Sequence, residues 1–152
     1  MINRTFVMLA EDCDHNQDHF AGWFWSEKKD GQRAIWIPET RGKPIAEVPF
    51  ANTALDNRNH TCTGLWSRGA KVIHAPEAWI ETLPTHTMLD GELWIDRGQN
   101  QYLQSVVSQL RPGIGWSQVK YHLIDFPTTF FLPGRVYNKE YEYVFPAPMS
   151  AT

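Results

Sequence analysis

The stretch Ser26-Glu27-Lys28-Lys29-Asp30-Gly31-Gln32-Arg33 sets two lysines and an Asp-Gly step between two short aromatic runs, Gly22-Trp23-Phe24-Trp25-Ser26 and Arg33-Ala34-Ile35-Trp36-Ile37. Short runs of Trp, Phe and Ile bounded by polar turn residues suit strands. Asp-Gly is a common hairpin dipeptide, so one reading is a charged turn joining two strands. The other reading is chemical. Lys28, Asp30, Gly31 and Arg33 together form Lys-x-Asp-Gly-x-Arg, and a lysine amine held in such a loop can attack a nucleotide phosphate. The remainder of the chain decides between the two.

Further strand candidates follow at Gly64-Leu65-Trp66-Ser67, at 71–74, at 88–95 and at 119–126, with a late alternating run over 137–145. Helical spacing is restricted to two places. Pro76 fits the first turn of a short helix over 76–83, with Pro84 beyond its end. Over 99–110, Leu103, Val106, Val107 and Leu110 fall at i, i+3, i+4 and i+7, and Arg111-Pro112-Gly113 stops the helix. The segment 38–61, rich in Pro, Gly, Asn and Thr, reads as a surface excursion. Strands outnumber helices and are joined by short turns, which predicts an α+β domain of mostly antiparallel sheet with flanking helices.

A chain of 152 residues suits a single domain over 1–152 with a true core. Its 42% hydrophobic and 20% charged residues describe an ordinary globular composition. Mean hydropathy of -0.43 and the lack of a long apolar run exclude a membrane helix, and no secretory leader is recognisable, so a cytoplasmic location is expected. Two cysteines, Cys13 and Cys62, make no disulfide framework. With a net charge of -3, any surface for nucleic acid has to be local.

Three other places carry candidate chemistry. In Ser67-Arg68-Gly69-Ala70-Lys71, Arg68 and Lys71 beside Gly can hold phosphate oxygens, or form only a solvated turn. In Leu89-Asp90-Gly91-Glu92-Leu93-Trp94, Asp90 and Glu92 would share a strand face and offer a carboxylate to a metal or a ribose. In Tyr121-His122-Leu123-Ile124-Asp125, the leading aromatic can stack on a base or simply fill the core. His15 and His19 stand among carboxylates, but without the His-Glu-x-x-His pattern they read as a polar loop.

In this order, the segments resemble motifs I, Ia, III and IIIa of the ATP-dependent DNA ligases, in particular those of bacteriophages and some bacteria. The resemblance runs from about 8 to 137 and is carried most specifically by Lys28-Lys29-Asp30-Gly31-Gln32-Arg33 and by Leu89 to Trp94 with Arg97-Gly98. It implies the ATP-grasp-like adenylation domain of that family, with Lys28 as the nucleophile that becomes lysyl-AMP. It implies nucleotide contacts from Glu27, Asp30, Gly31, Arg33, Arg68, Glu92 and Tyr121, with Tyr121 against adenine. Glu92 would also hold the metal. ATP and Mg²⁺ are the implied cofactors. Nicked double-stranded DNA is the implied partner, with no membrane, and the chain is expected to be a monomer. A free lysine has a pKa of ~10.4 and attacks only when unprotonated, so nearby cations such as Lys29, Arg33 and Arg68 suit the chemistry.

The chain departs from the family pattern in places. Ala70 occupies the usual glycine place of motif Ia and would be strained if that place needs positive φ. Motif IIIa ends Ile124-Asp125 in place of Phe-Asp. The later motifs IV and V and the OB-fold domain are not recognisable before Thr152. The adenylation domain is therefore expected to be C-terminally incomplete and weak or inactive alone. An RNA ligase, a capping-type guanylyltransferase and a non-catalytic nucleotide- or DNA-binding relic remain open as alternatives.

Overall fold

Alternating apolar and polar residues organise the chain around one antiparallel sheet. The computed structural model describes residues 21–22, 27–52, 60–127 and 148–149. The aromatic run at 23–26, Cys13, the His15 and His19 cluster and the strand expected over 137–145 lie outside the described residues. The strands are β1 (Gln32–Trp36), β2 (Leu65–Ser67), β3 (Leu89–Trp94), β4 (Lys120–Asp125) and β5 (Pro148–Met149), in the order β2-β1-β3-β4-β5. Two helices occur among the described residues, α1 (Glu77–Ile80) and α2 (Asn100–Val107). The α+β, mostly antiparallel expectation holds. No helix among the described residues is long and apolar enough to cross a membrane.

β1 pairs with β2 on one edge and β3 on the other. Asp30-Gly31 therefore leads into an inner strand. The second Asp-Gly is not a turn, because Asp90 and Gly91 lie inside β3. A register shift separates them, with Asp90 opposite Asp125 and Gly91 opposite Leu123. A Cβ on Gly91 would stand 2.5 Å from the His122 carbonyl oxygen and 2.7 Å from the Tyr121 ring. The glycine thus makes room for that ring. Gly91→Ala is expected to lower stability by about 1–3 kcal/mol through overpacking, read as a shifted denaturant midpoint at unchanged slope.

One face of the sheet carries the main core. Ala34, Trp36, Leu65, Leu89, Leu93, Tyr121 and Leu123 pack there against Trp79 and Ile80 of α1 and Leu103, Val106 and Val107 of α2. Trp36 donates its indole N–H to the Pro84 carbonyl at 2.7 Å, and Trp79 donates to the Val119 carbonyl at 3.1 Å. α2 ends at Val107, short of the expected 110, and Leu110 is exposed. Pro112 pushes the residue before it away from helical geometry, which favours an early stop.

The second face corrects the reading of 38–61 as a surface excursion. Two 3-10 turns, Pro38–Thr40 and Ile45–Glu47, fold the described part of that segment back onto the sheet. Ile45, Val48 and Phe50 join Ile35, Ile37, Trp66, Ala70, Val72 and Met88 in a second buried cluster. Trp66 donates to the Thr40 hydroxyl at 2.9 Å, which satisfies both buried polar groups. The extended segment expected at 71–74 makes only an isolated bridge, Trp66 with Val72. Ala70 has φ 63, so the motif Ia departure does place a side chain in left-handed backbone, at a cost of about 1–2 kcal/mol.

This second cluster lies over β1 and β2. Among the described residues no apolar cluster covers the same face of β3 and β4, where Glu92, Trp94, Lys120 and His122 stand half-buried or exposed.

Candidate functional site

The lysine loop sits at the edge of that open face because Gly31 allows it to approach β3 closely. A Cβ on Gly31 would fall 2.1 Å from the Leu93 carbonyl oxygen and 3.0 Å from Glu92 Cγ. The approach lets the Gly31 N–H donate to Glu92 Oε1 at 3.1 Å, across 61 residues of chain. Gly31→Ala would force the loop away from β3. The expected result is a loss of about 1–3 kcal/mol together with loss of protection of the residue-31 amide in hydrogen exchange.

Glu92 is half-buried, and burial pushes its carboxyl up from the ordinary range. The Gly31 amide and the charges of Arg33 and Lys28 pull the other way, while Asp30 adds to the rise. Lys28 is exposed and close enough for its charge to act on Glu92. The structure therefore brings Lys28, Asp30, Gly31 and Glu92 together, joining motifs that lie far apart in sequence.

Arg33 has a different set of contacts from the nucleotide contact expected of it. Its guanidinium forks onto Asp90, with Nε to Oδ1 at 2.6 Å and Nη2 to Oδ2 at 2.5 Å. The Asp90 carboxyl is buried, and burial pushes it up from its ordinary value against the pull of the arginine. A paired guanidinium is what permits a charged carboxylate there.

Glu27 pairs with Lys29 at 2.7 Å and with Arg97 at 3.1 Å, and the Lys29 hydrogen bond leads the causes that hold its carboxyl below the usual range. Arg68 is exposed in the turn after β2. Because Ala34 pairs with Ser67 and Arg33 with Glu92, Arg68 belongs to the same end of the sheet as the lysine loop.

Tyr121 is a correction. It is fully buried, its hydroxyl donates to the Ala34 carbonyl at 2.7 Å, and its ring packs edge-on to Trp79 at 6.0 Å. A ring enclosed in this way presents no face to a base. The alternation of β4 carried the signal: exposed Lys120 and half-buried His122 point one way, Tyr121 and Leu123 the other.

The aromatic on the open face is Trp94, which the sequence reading did not assign to the site. Lys29 Nζ lies 4.6 Å from its ring centroid and Lys120 Nζ 5.7 Å, while the His122 ring meets it edge-on at 5.2 Å. Burial, followed by the cations of Lys29 and Lys120, lowers the proton affinity of His122. The cations here are interleaved with carboxylates, since Lys29 and Arg97 both pair with Glu27 and Lys28 acts on Glu92. Strand alternation from Glu92 to Trp94 was the available clue. Among the described residues no group of three or more His, Cys, Asp or Glu stands together as a metal site.

The antiparallel α+β fold described above has a structural neighbour among DNA ligases. The chain is similar to a solved structure from work on Lig E DNA ligases and their DNA binding with a minimal scaffold, with 28% identity and a TM-score of 0.57. The match covers 80% of this chain and 38% of that one, so the chain spans well under half of its neighbour's length. No family model matches the chain, and no curated protein does. The fold is DNA-ligase-like.

Proposed function

We propose that this chain forms the lysine-bearing part of the adenylation domain of an ATP-dependent DNA ligase, with an ATP-grasp-like fold. The observation that carries this reading is the seating of the Lys28-Asp30-Gly31 loop on Glu92 through the Gly31 N–H. The similarity to a DNA ligase supports it independently.

In this reading the unprotonated Lys28 amine attacks the α-phosphorus of ATP. A phosphorus–nitrogen bond forms, the bond to the bridging oxygen breaks, pyrophosphate leaves with the electron pair, and the amine loses a proton. The AMP then passes to an oxygen of a DNA 5′-phosphate, and Lys28 regains its amine. A 3′-hydroxyl next attacks that 5′-phosphorus, and AMP departs as the nick closes. Glu92 would hold Mg²⁺ jointly with the phosphates of the substrate, since one carboxylate is a usual protein share for that ion, and the metal would offset phosphate charge. Trp94 with Lys29 and Lys120 suits a nucleic-acid partner, because the ring holds two cations that can attract phosphates.

The test is incubation of the chain with α-labelled ATP or GTP and Mg²⁺, followed by nicked DNA or nicked RNA. Covalent label from ATP that is discharged by nicked DNA is the expected result. Label from GTP alone would reassign the chain to a guanylyltransferase, discharge by RNA alone to an RNA ligase, and label that persists in Lys28→Ala would overturn the proposal.

A further inference from the structure

Asn100, the first residue of α2, reaches back 70 residues to the lysine loop. Its side-chain amide nitrogen stands 3.0 Å from Asp30 Oδ1, 3.2 Å from the Asp30 carbonyl oxygen and 3.4 Å from the Gly31 carbonyl oxygen. Two carbonyls and a carboxylate only accept hydrogen bonds, so the atom facing them has to be the donor end of the amide. On its other side the loop gives its Gly31 N–H to Glu92. Peptide groups of one short segment are therefore held from two directions, by a strand residue and by a helix residue.

We infer that Asn100 is a positioning residue for Lys28: it clamps Asp30 and Gly31 against β3 and so fixes the direction in which the Lys28 amine is presented beside Glu92. The inference rests on the proposed reaction for its activity readout, but the clamp itself is a property of the fold. Lys28 is exposed and stands two residues before Asp30, so its approach to a phosphorus atom depends on how well the backbone behind it is held. A displacement of about 1 Å at a reacting group can reduce a rate by about a hundredfold. Asn100 acts through the loop and is not a catalytic residue.

Asn100→Ala isolates the donation, because it removes the amide without setting a second carboxylate against that of Asp30. Alanine is a good helix former and the lost hydrogen bonds are largely exposed, so the variant should melt within about 4 °C of the wild type. The maximal single-turnover rate of labelling from ATP is expected to fall about 10- to 100-fold. The ATP concentration giving half of that rate should stay within about threefold, since orientation changes and binding does not. The Gly31 amide should exchange at least about tenfold faster in the variant.

A wild-type labelling rate in Asn100→Ala would overturn the inference, as would a rate loss accompanied by a matching fall in melting temperature. If the wild-type chain takes no label, as a chain inactive alone would not, there is no labelling rate to compare. The exchange rate of the Gly31 amide then decides the clamp separately, and an unchanged rate in the variant overturns it.

Discussion

Lys28→Ala is expected to abolish covalent labelling from α-labelled ATP, by more than about 10³-fold, as removal of a nucleophile commonly does. Lys28 is exposed, so the substitution should change stability by no more than about 0.5 kcal/mol. A folded variant that still binds ATP by calorimetry but takes no label is the expected pair of results. Lys29→Ala provides the contrast. Lys29 is engaged by the Glu27 carboxylate at 2.7 Å and lies over the Trp94 ring, so its loss should change the local charge and leave covalent labelling in place. Labelling that persisted in Lys28→Ala and vanished in Lys29→Ala would exchange the two roles.

Arg33→Ala should be among the most destabilising single substitutions in the described fold. It strips the partner from a buried carboxylate, Asp90, which commonly costs about 3–5 kcal/mol. Arg33→Met combined with Asp90→Leu should recover most of that loss, because the penalty comes from the uncompensated charge. The pH dependence has a definite sign. Burial holds the Asp90 carboxyl above its ordinary 3.8, and with the guanidinium gone nothing opposes that rise. The folded Arg33→Ala chain then binds the proton more tightly than the unfolded chain. Its stability should therefore increase as pH falls through the raised folded value towards 3.8. Denaturant titrations of the variant across the acid range check this. A cost below about 1 kcal/mol would mean that the pair is not a buried one in solution.

Much of the architecture was legible because local periodicity and tertiary demand agree. β3, β4 and α2 each carry their burial pattern in the sequence, and the structure places them within one to three residues of the expected bounds. The 38–61 segment was misread for the opposite reason. Ile45, Val48 and Phe50 have no strand or helix period, and they are buried because Trp66 and Met88 on distant elements need covering. The partnership of Lys28 and Gly31 with Glu92 was readable as an ordered set of motifs. The contacts that hold that set together were not. The Arg33 fork onto Asp90 and the Asn100 clamp join residues 57 and 70 positions apart, and no local pattern announces either. Tyr121 was a different case. The alternation of β4 already put it on the core side with Leu123, and the strand period deserved more weight than the aromatic type.

The charge distribution follows the same logic. On a chain of net charge -3, Lys29 and Lys120 lie over the Trp94 ring while Glu27 pairs with Lys29 and Arg97. Local arrangement outweighs net charge for a polyanionic partner, because screening limits the reach of distant acids to about 8–10 Å at ordinary salt.

Peptide mapping by mass spectrometry after incubation of the chain with ATP and Mg²⁺ tests the central claim most directly. If the Gly31 contact to Glu92 marks an adenylation loop, the peptide spanning 27–33 will carry one AMP, and fragmentation will place it on the Lys28 side-chain nitrogen. AMP on Lys29, Lys120 or any other residue in place of Lys28 would contradict it.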